Sequence, residues 1–521
     1  MKYFTNGIRF FVLSLLVVAS TGFVCRQEFA GKQEARGIWL SRWEYTTNLN
    51  SSDPEVQQAK IIAAMDLAAK EKFNFILFQV RGQCDAFYPS ELEPWAKELT
   101  GTLGQDPGWD PLQFAIDQAH ARRLELHVWL NTFTCWKGEI PPEPCQPSHI
   151  LHLHPEWICA DAAGKPMELS SHYVTLSPGI PEVREHVHEV AMDIVRRYDI
   201  DGVHFDYIRY PENSNQLGYS HDSISVARFN SPQTNSRRLN WDDWQREQIN
   251  TFVREFYDAA NKAKPMLKIS AAVIGKYDWS SWNGYHVVYQ DAARWMEEGK
   301  MDFIAPMIYW RRNHPSAPFG KIAREWIERQ SYGRLVFPGM AVYKLNNPQW
   351  APNEIEGQVS MVRRLAGKGL VFFSYTGLEQ LAASGNQRSF SFLANVPPMR
   401  WKDSVPPNPP TNLRIERIDA DEITLSWHPP QKSLDGDGAE YYNIYRTVKS
   451  AIDSSSARHL LAITSHNEPI FTDTRLAPGK TYTYAVAALD DGDNESLLSN
   501  RIKAAMPAVA LKMRADSVRA D

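Results

Sequence analysis

The chain has 521 residues, of which 43% are hydrophobic and 22% charged, with a formal net charge of −5. That length exceeds one ordinary domain and predicts two folded units plus a targeting segment. The mildly acidic balance excludes the basic footprint of a nucleic-acid-binding protein, so no nucleic-acid partner is expected.

The first 25 residues read as an export signal. Lys2 and Arg9 supply positive charge, residues 10–19 an apolar run, and small residues follow at Ser20, Thr21 and Gly22. The run is too short to anchor the chain across a bilayer. Cys25 stands where a lipoprotein cysteine would, although Val24 before it is not small. Lipidation at Cys25 and ordinary cleavage near residues 20–22 are therefore the two alternatives, and a lipid anchor would be the only membrane contact. Export implies an oxidising compartment. Cys84, Cys135, Cys145 and Cys159 match no zinc spacing. Cys135 and Cys145 flank the Pro-rich segment 140–144 and are candidates to close it by a disulfide, the alternative being buried thiols.

From about residue 33 to 400, strand-like runs alternate with helical patterns. The strands are expected at 36–41, 73–80, 124–131, 201–206, 267–274, 301–310, 335–343 and 370–375. Helices are expected at 55–70, 111–122, 181–198, 241–263, 287–298, 321–330 and 353–366, with a shorter one near Leu378. Parallel strands need crossovers, and eight such repeats favour closure into a (β/α)8 TIM barrel over an open sheet. Asp110-Pro111 reads as an N-cap before a first-turn proline, and 177–181 as a similar start for the third helix. The segments 132–181 and 211–240 are too long for simple connections and read as walls at the C-terminal face.

Residues 401–410 form a proline-rich linker, and the pattern then changes to period two over 422–427, 440–446 and 481–489. Trp427, Tyr442, Tyr445 and the 476–482 turn ending at Tyr482 resemble a fibronectin type III sandwich, with Tyr482 at the corner position. That all-β domain is placed at 411–508, followed by a disordered tail at 509–521.

The barrel strands start apolar and finish polar or aromatic. Gln79 and Arg81 share a face of the second strand, and His127, Trp129 and Asn131 one of the third. His204 and Asp206 lie on the fourth with Arg209 beyond; Tyr309 and Trp310 close the sixth, Tyr343 the seventh, and Ser374 or Tyr375 the eighth. Alternation sends Val203 and Phe205 toward the helices and His204 and Asp206 into the barrel. A partly desolvated mouth raises a carboxyl pKa, which makes Asp206 the candidate acid, base or nucleophile; pairing with Arg209 to pin the loop is the structural alternative. Asp201, at the opposite strand end, reads as a cap. His204 and His127 are read either as substrate contacts or as core histidines. Glycoside hydrolysis usually needs two carboxylates. Asp85, Glu139, Glu168, Glu212 and Asp278 are the loop candidates for the second, and a substrate acetamide is the alternative nucleophile. His152, His154 and His172 lack standard metal-ligand spacing, so neither a metal nor another cofactor is expected.

Taken together, 36–40, 75–81, 177–184, 201–211 and 302–310 resemble the bacterial glycosyl-hydrolase-like family 10, whose members are exported (β/α)8 barrels and often lipoproteins. The resemblance implies a periplasmic or outer-membrane glycoside hydrolase acting on a polysaccharide, some members acting on peptidoglycan strands stripped of their stem peptides. It places the family's fourth-strand aspartate at Asp206, with Arg209 as its arginine-like neighbour. Many relatives have two consecutive aspartates where this chain has Asp206-Tyr207. On this reading Gln79, Arg81, His127, Asn131, His204 and Arg209 bind sugar hydroxyls or anionic substituents, and Tyr309, Trp310 and Tyr343 are the aromatic contacts. The alternatives are a non-catalytic glycan-binding barrel and a metal-dependent deacetylase.

Overall fold

The structure is a computed structural model that describes residues 31–46, 52–385, 389–419, 421–449, 451–465 and 467–508. The expected signal with Cys25 and the expected tail at 509–521 lie outside the described residues. Among the described residues, no helix is long and apolar enough to cross a membrane.

Eight parallel strands close into a barrel. They are β1 (Ala35–Leu40), β2 (Phe75–Arg81), β3 (Glu125–Asn131), β4 (Gly202–Asp206), β5 (Lys268–Ile274), β6 (Phe303–Met307), β7 and β8 (Gly369–Phe373). Each pairs with the next, and β8 pairs with β1 through Ile38 opposite Phe372. The seventh strand is broken into Leu335–Val336, which pairs with β6, and Gly339–Ala341, which pairs with β8. Pro338 sits in the gap, where a residue without an N–H cannot continue the ladder. Outside lie α1 (Pro54–Lys70), α2 (Pro111–His120), α3 (Pro181–Arg197), α4 (Trp241–Ala263), α5 (Ala292–Glu297), α6 (Phe319–Ile327), α7 (Glu354–Arg364) and α8 (Tyr375–Ala383). Asp110 caps α2 through Oδ1, which accepts from the Leu112 and Gln113 N–H groups. The expected Ser177 cap is different: α3 starts at Pro181 with Ile180 before it and no side-chain cap. Ser177 Oγ instead donates to Asp222 Oδ2 at 2.7 Å.

The strand alternation sorts the two faces. Val203 and Phe205 are buried outward, and Phe205 meets Phe252 and Phe256 of α4 edge-on with centroids 5.4 and 4.8 Å apart. The inward residues Trp39, Phe75, Leu77, Trp129, Ala272, Phe303, Phe337 and Val371 form a separate core inside the barrel. Gly202 makes room for that core, because a Cβ there would stand 2.5 Å from His127 Nδ1.

The long 132–181 segment contains a hairpin, Thr134–Gly138 against Ser170–Thr175. The 211–240 segment holds two short helices, Ser214–Leu217 and Ser223–Asn230. The C-terminal sandwich packs a three-stranded sheet on a four-stranded one. Its Tyr482 hydroxyl accepts from the Ala477 N–H at 2.8 Å, the expected tyrosine corner. The sandwich seats against the N-terminal end of the barrel: Lys268, the first residue of β5, donates to Glu125 Oε1 of β3 and to Asp493 Oδ2 of the sandwich, both at 2.6 Å. The second domain therefore covers the base, while the strand C-termini lie at the other end.

Candidate active site at the barrel mouth

Asp206 ends β4 on the inward face. Its carbonyl accepts from the Thr132 N–H at 2.7 Å and the Thr132 hydroxyl at 2.8 Å, which ties the end of β4 to the start of the long third loop. The next residue, Tyr207, has φ 49°, a left-handed conformation uncommon outside glycine. That turn brings the Tyr207 N–H onto Asp206 Oδ1 at 2.6 Å. The other oxygen, Oδ2, has no protein partner and is not among the polar atoms sealed from solvent, although the residue is only 8% exposed. Burial pushes the carboxyl up from 3.8 to about 6, against the Tyr207 N–H and the positive charge of Arg209, which both pull it down. Arg209 makes no ion pair with Asp206. Its guanidinium lies 4.7 Å over the Tyr207 ring and reaches Glu212 only at 3.7 Å.

An aromatic wall stands beside the carboxylate. Tyr309 stacks on Phe373 with centroids 5.7 Å apart, and Tyr343 meets both rings edge-on. Burial pushes the Tyr309 hydroxyl well above 10, with the negative charge of Asp206 adding to the effect. Tyr343 is 45% exposed and offers its ring to solvent. Trp310 is half-buried, with Lys276 Nζ 5.1 Å over its ring. On the opposite side Tyr173, from the loop hairpin, packs edge-on against Tyr207 at 5.4 Å. Its hydroxyl accepts from Arg42 Nη2 at 3.1 Å. Gly82 allows that approach, since a Cβ there would fall 0.9 Å from Arg42 Nη1.

Apart from Phe373, this arrangement lies within the span matched by the glycosyl hydrolase-like 10 family, residues 34–355; residues 408–503 match the fibronectin type III domain. The chain belongs to the glycosyl hydrolase-like 10 family. The glycosyl hydrolase YngK of Bacillus subtilis strain 168 is 29% identical, covering 96% of this chain and 99% of that protein. The glycosyl hydrolase DigH of Escherichia coli K12 is 28% identical over 61% of this chain and 75% of its own. Among solved structures, the glycoside hydrolase domain of PgaB from Bordetella bronchiseptica aligns over 69% of this chain and 99% of that one, at 12% identity and a TM-score of 0.48.

Within this family barrel, several residues expected at the mouth lie elsewhere. Arg81 is fully buried and spends all its donors inside: both Glu93 oxygens at 2.6 and 2.7 Å, the Asn131 and Thr132 carbonyls, and Cys84 Sγ. It has no donor left for a sugar, which corrects the expectation of substrate binding. His204 is likewise a core residue, accepting from Trp39 Nε1 at 3.1 Å and meeting Ser270 Oγ at 2.8 Å through Nδ1. Burial, helped by His127, pushes it well below the ordinary histidine range, so it is neutral. His127 lies one layer lower, 3.0 Å from Glu125 Oε2 and packed against Phe75 and Phe303. Gln79 and Asn131 are buried just under the rim, joined at 3.2 Å, and Asn131 also takes the Trp129 indole N–H. They brace the floor of the mouth.

The second carboxylate does not emerge from the loop candidates. Asp85 is buried and folded onto the Gly82 and Gln83 N–H groups. Glu168 pairs with Lys165 and Asp278 with His286 at exposed positions, and Glu139 is exposed. The expected Cys135–Cys145 disulfide is absent: all four described cysteines are free, and Cys135 lies against Cys84 instead. His152 is bound to the Pro142 carbonyl, and His154 stacks on Trp157, so those two histidines are separately engaged.

A recess of about 900 Å³ opens on the barrel flank, lined in part by Trp95, Trp109, Asp193, Glu189, Arg196 and Arg197. None of the strand-end residues lines it, and its arginines are already paired with Asp193 and Glu189. The unpaired Asp206 oxygen makes the mouth the better seat for chemistry. Tyr207, Tyr173 and Phe373 escaped the sequence reading. The regular alternation that exposed Asp206 breaks at Tyr207, and Tyr173 comes from a loop with no strand-end signal.

Proposed function

We propose that the mouth hydrolyses glycosidic bonds of a polysaccharide, with Asp206 as general acid. The observation that supports this reading is a desolvated carboxyl with a pKa near 6 and one oxygen free to meet a ligand. Near neutrality such a group is a workable proton donor, and positioned acid–base groups contribute about 10²–10⁴-fold in rate. Protonated Asp206 would give its proton to the bridging oxygen as the C1–O bond breaks, leaving the sugar with oxocarbenium character. In this reading Tyr309, Tyr343 and Trp310 carry the sugar rings. For the nucleophile, the reading takes a substrate that supplies its own. In an N-acetylated sugar the acetamide carbonyl oxygen attacks C1 as the glycosidic bond breaks, closing a five-membered oxazolinium ring; water then attacks C1 and breaks that new C1–O bond, with ionised Asp206 accepting the water's proton.

Peptide-free peptidoglycan strands, rich in N-acetyl sugars, are the proposed substrate, and the chain is proposed to reach them by export and anchorage at Cys25. The test is incubation of purified chain with peptide-free and peptide-bearing strands, followed by mass analysis of released oligosaccharides. Release from the peptide-free strands, lost in Asp206→Asn, is the expected result. Saturable binding without new reducing ends would favour a non-catalytic glycan-binding barrel. Activity abolished by chelator would favour a metal-dependent deacetylase.

A further inference from the structure

Five consecutive loops at the strand C-termini each bring one cation to the mouth: Lys137 after β3, Arg209 after β4, Lys276 after β5, Arg311 after β6 and Lys344 after β7. The whole chain has a net charge of −5, so this positive rim runs against the overall balance. Lys276 Nζ lies 5.1 Å over the Trp310 ring, and Lys344 Nζ donates to the Tyr309 carbonyl at 3.0 Å, which places both on the aromatic wall. On the opposite side Lys137 Nζ stands 5.7 Å over Tyr173. The hydrogen-bond partners of the wall cations are neutral: Ser281 for Lys276, Gln349 for Arg311 and the Tyr309 carbonyl for Lys344. Three of the charges converge on His314. Burial, and then Arg311, Lys276 and Lys344, push that histidine below its ordinary range.

Arg209 is the member hardest to explain without a ligand. Its side chain is 7% exposed, and Nε is sealed from solvent with no partner. Among the described residues its guanidinium makes no hydrogen bond. Its ion pair with the exposed Glu212 spans 3.7 Å, beyond hydrogen-bond reach. Nη1 and Nη2 are not among the polar atoms sealed from solvent, so they can meet a ligand. It stands beside the reacting group: the guanidinium lies 4.7 Å over Tyr207, whose N–H holds Asp206 Oδ1, and its charge acts on Asp206. A guanidinium taken out of water without an acceptor is costly, and its planar fork of donors matches a carboxylate.

We propose that the mouth selects a sugar bearing a carboxylate, held by Arg209 and drawn in by Lys137, Lys276, Arg311 and Lys344 around the rim. This rests on the reading of the mouth as a glycosidase for peptide-free strands, and names the group by which such strands are told apart. Hydrolysis of the amide that joins a stem peptide to its sugar leaves a carboxylate on the sugar, where a peptide-bearing strand has a neutral amide. The charge that separates the two strands is therefore the one an unpaired buried arginine would bind. Asp206 in its acid form is neutral and does not repel it. The more exposed lysines act over a longer range and are screened by salt.

Isothermal titration on the full chain carrying Asp206→Asn reads binding apart from turnover. The probes are peptide-free strands and the same strands with their carboxyls converted to methylamides. The charged strands should bind about ten- to a hundredfold tighter, the range of a charge-assisted hydrogen bond. Raising sodium chloride from about 50 to about 300 mM should narrow that gap. Adding Arg209→Gln should abolish the preference while leaving affinity for the methylamide strands unchanged. Arg209→Lys, which keeps the charge but not the fork, should restore only part of it. Lys137→Gln/Lys276→Gln should weaken binding of the charged strands alone and flatten its salt dependence. Thermal unfolding checks that each variant is folded. Equal affinity for both probes, or full preference retained in both Arg209 variants, overturns the inference. Wild type is assayed for cleavage of both probes: cleavage without charge preference sinks this inference alone. Charge-selective binding with no cleavage sinks the glycosidase reading and leaves the carboxylate site standing.

Discussion

Replacing Asp206 by Asn should make the protein more stable and less active at the same time. Moving a carboxyl from 3.8 to about 6 on folding is worth about 3 kcal/mol at about 1.36 kcal/mol per pH unit. The sign follows from linkage. Between the two values the unfolded chain has lost the proton that the folded chain retains, so stability falls as pH rises from about 4 to about 6 and is then flat. An asparagine keeps an oxygen for the Tyr207 N–H without the charge, so it escapes that loss. The variant should match wild type near pH 4 and exceed it by up to about 3 kcal/mol above pH 6, the ceiling set by the shift. Denaturant midpoints for both proteins from pH 4.5 to 8 measure this, alongside release of reducing ends. Turnover should fall by about 10²–10⁴-fold in the variant. In wild type it should decline as pH rises through about 6, where the donor loses its proton. A variant that is less stable at pH 7.5, or a stability difference that ignores pH, would refute the desolvated-acid argument.

Three further substitutions separate support from contact. Arg81→Ala should cost about 3–5 kcal/mol, because it removes both guanidinium bonds from the buried Glu93 and leaves it only His186; thermal denaturation should show the loss, with KM unchanged in whatever folds. Lys268→Met should destabilise by a similar ~3–5 kcal/mol by leaving Glu125 and Asp493 facing each other across the domain seam, again without a change in KM. Tyr309→Ala removes a ring from the wall next to Asp206. Isothermal titration on the Asp206→Asn background should show glycan affinity falling about tenfold, the ~1.4 kcal/mol of one aromatic contact.

Period-two alternation with intervening helical patterns was enough to read a closed barrel of eight parallel strands, and Trp427, Tyr442 and Tyr482 were enough to read the sandwich. The same alternation placed Val203 and Phe205 on the helix side and Asp206 inside, because side-chain direction along a strand is a local property. Height within the barrel is not local. His127, His204 and Asp206 all point inward, yet the strand tilt puts the first two in filled layers and only the third at the rim. Arg81 looked like a free cation until Glu93, in the following loop, arrived to neutralise it. Cys135 found Cys84 rather than Cys145 because β2 and β3 are adjacent strands whose loops emerge side by side. The chain's local chemistry thus determined which residues face inward and how many strands there are. Tertiary packing decided which inward groups are sealed by partners distant in sequence, and only those left unsealed can act on a ligand.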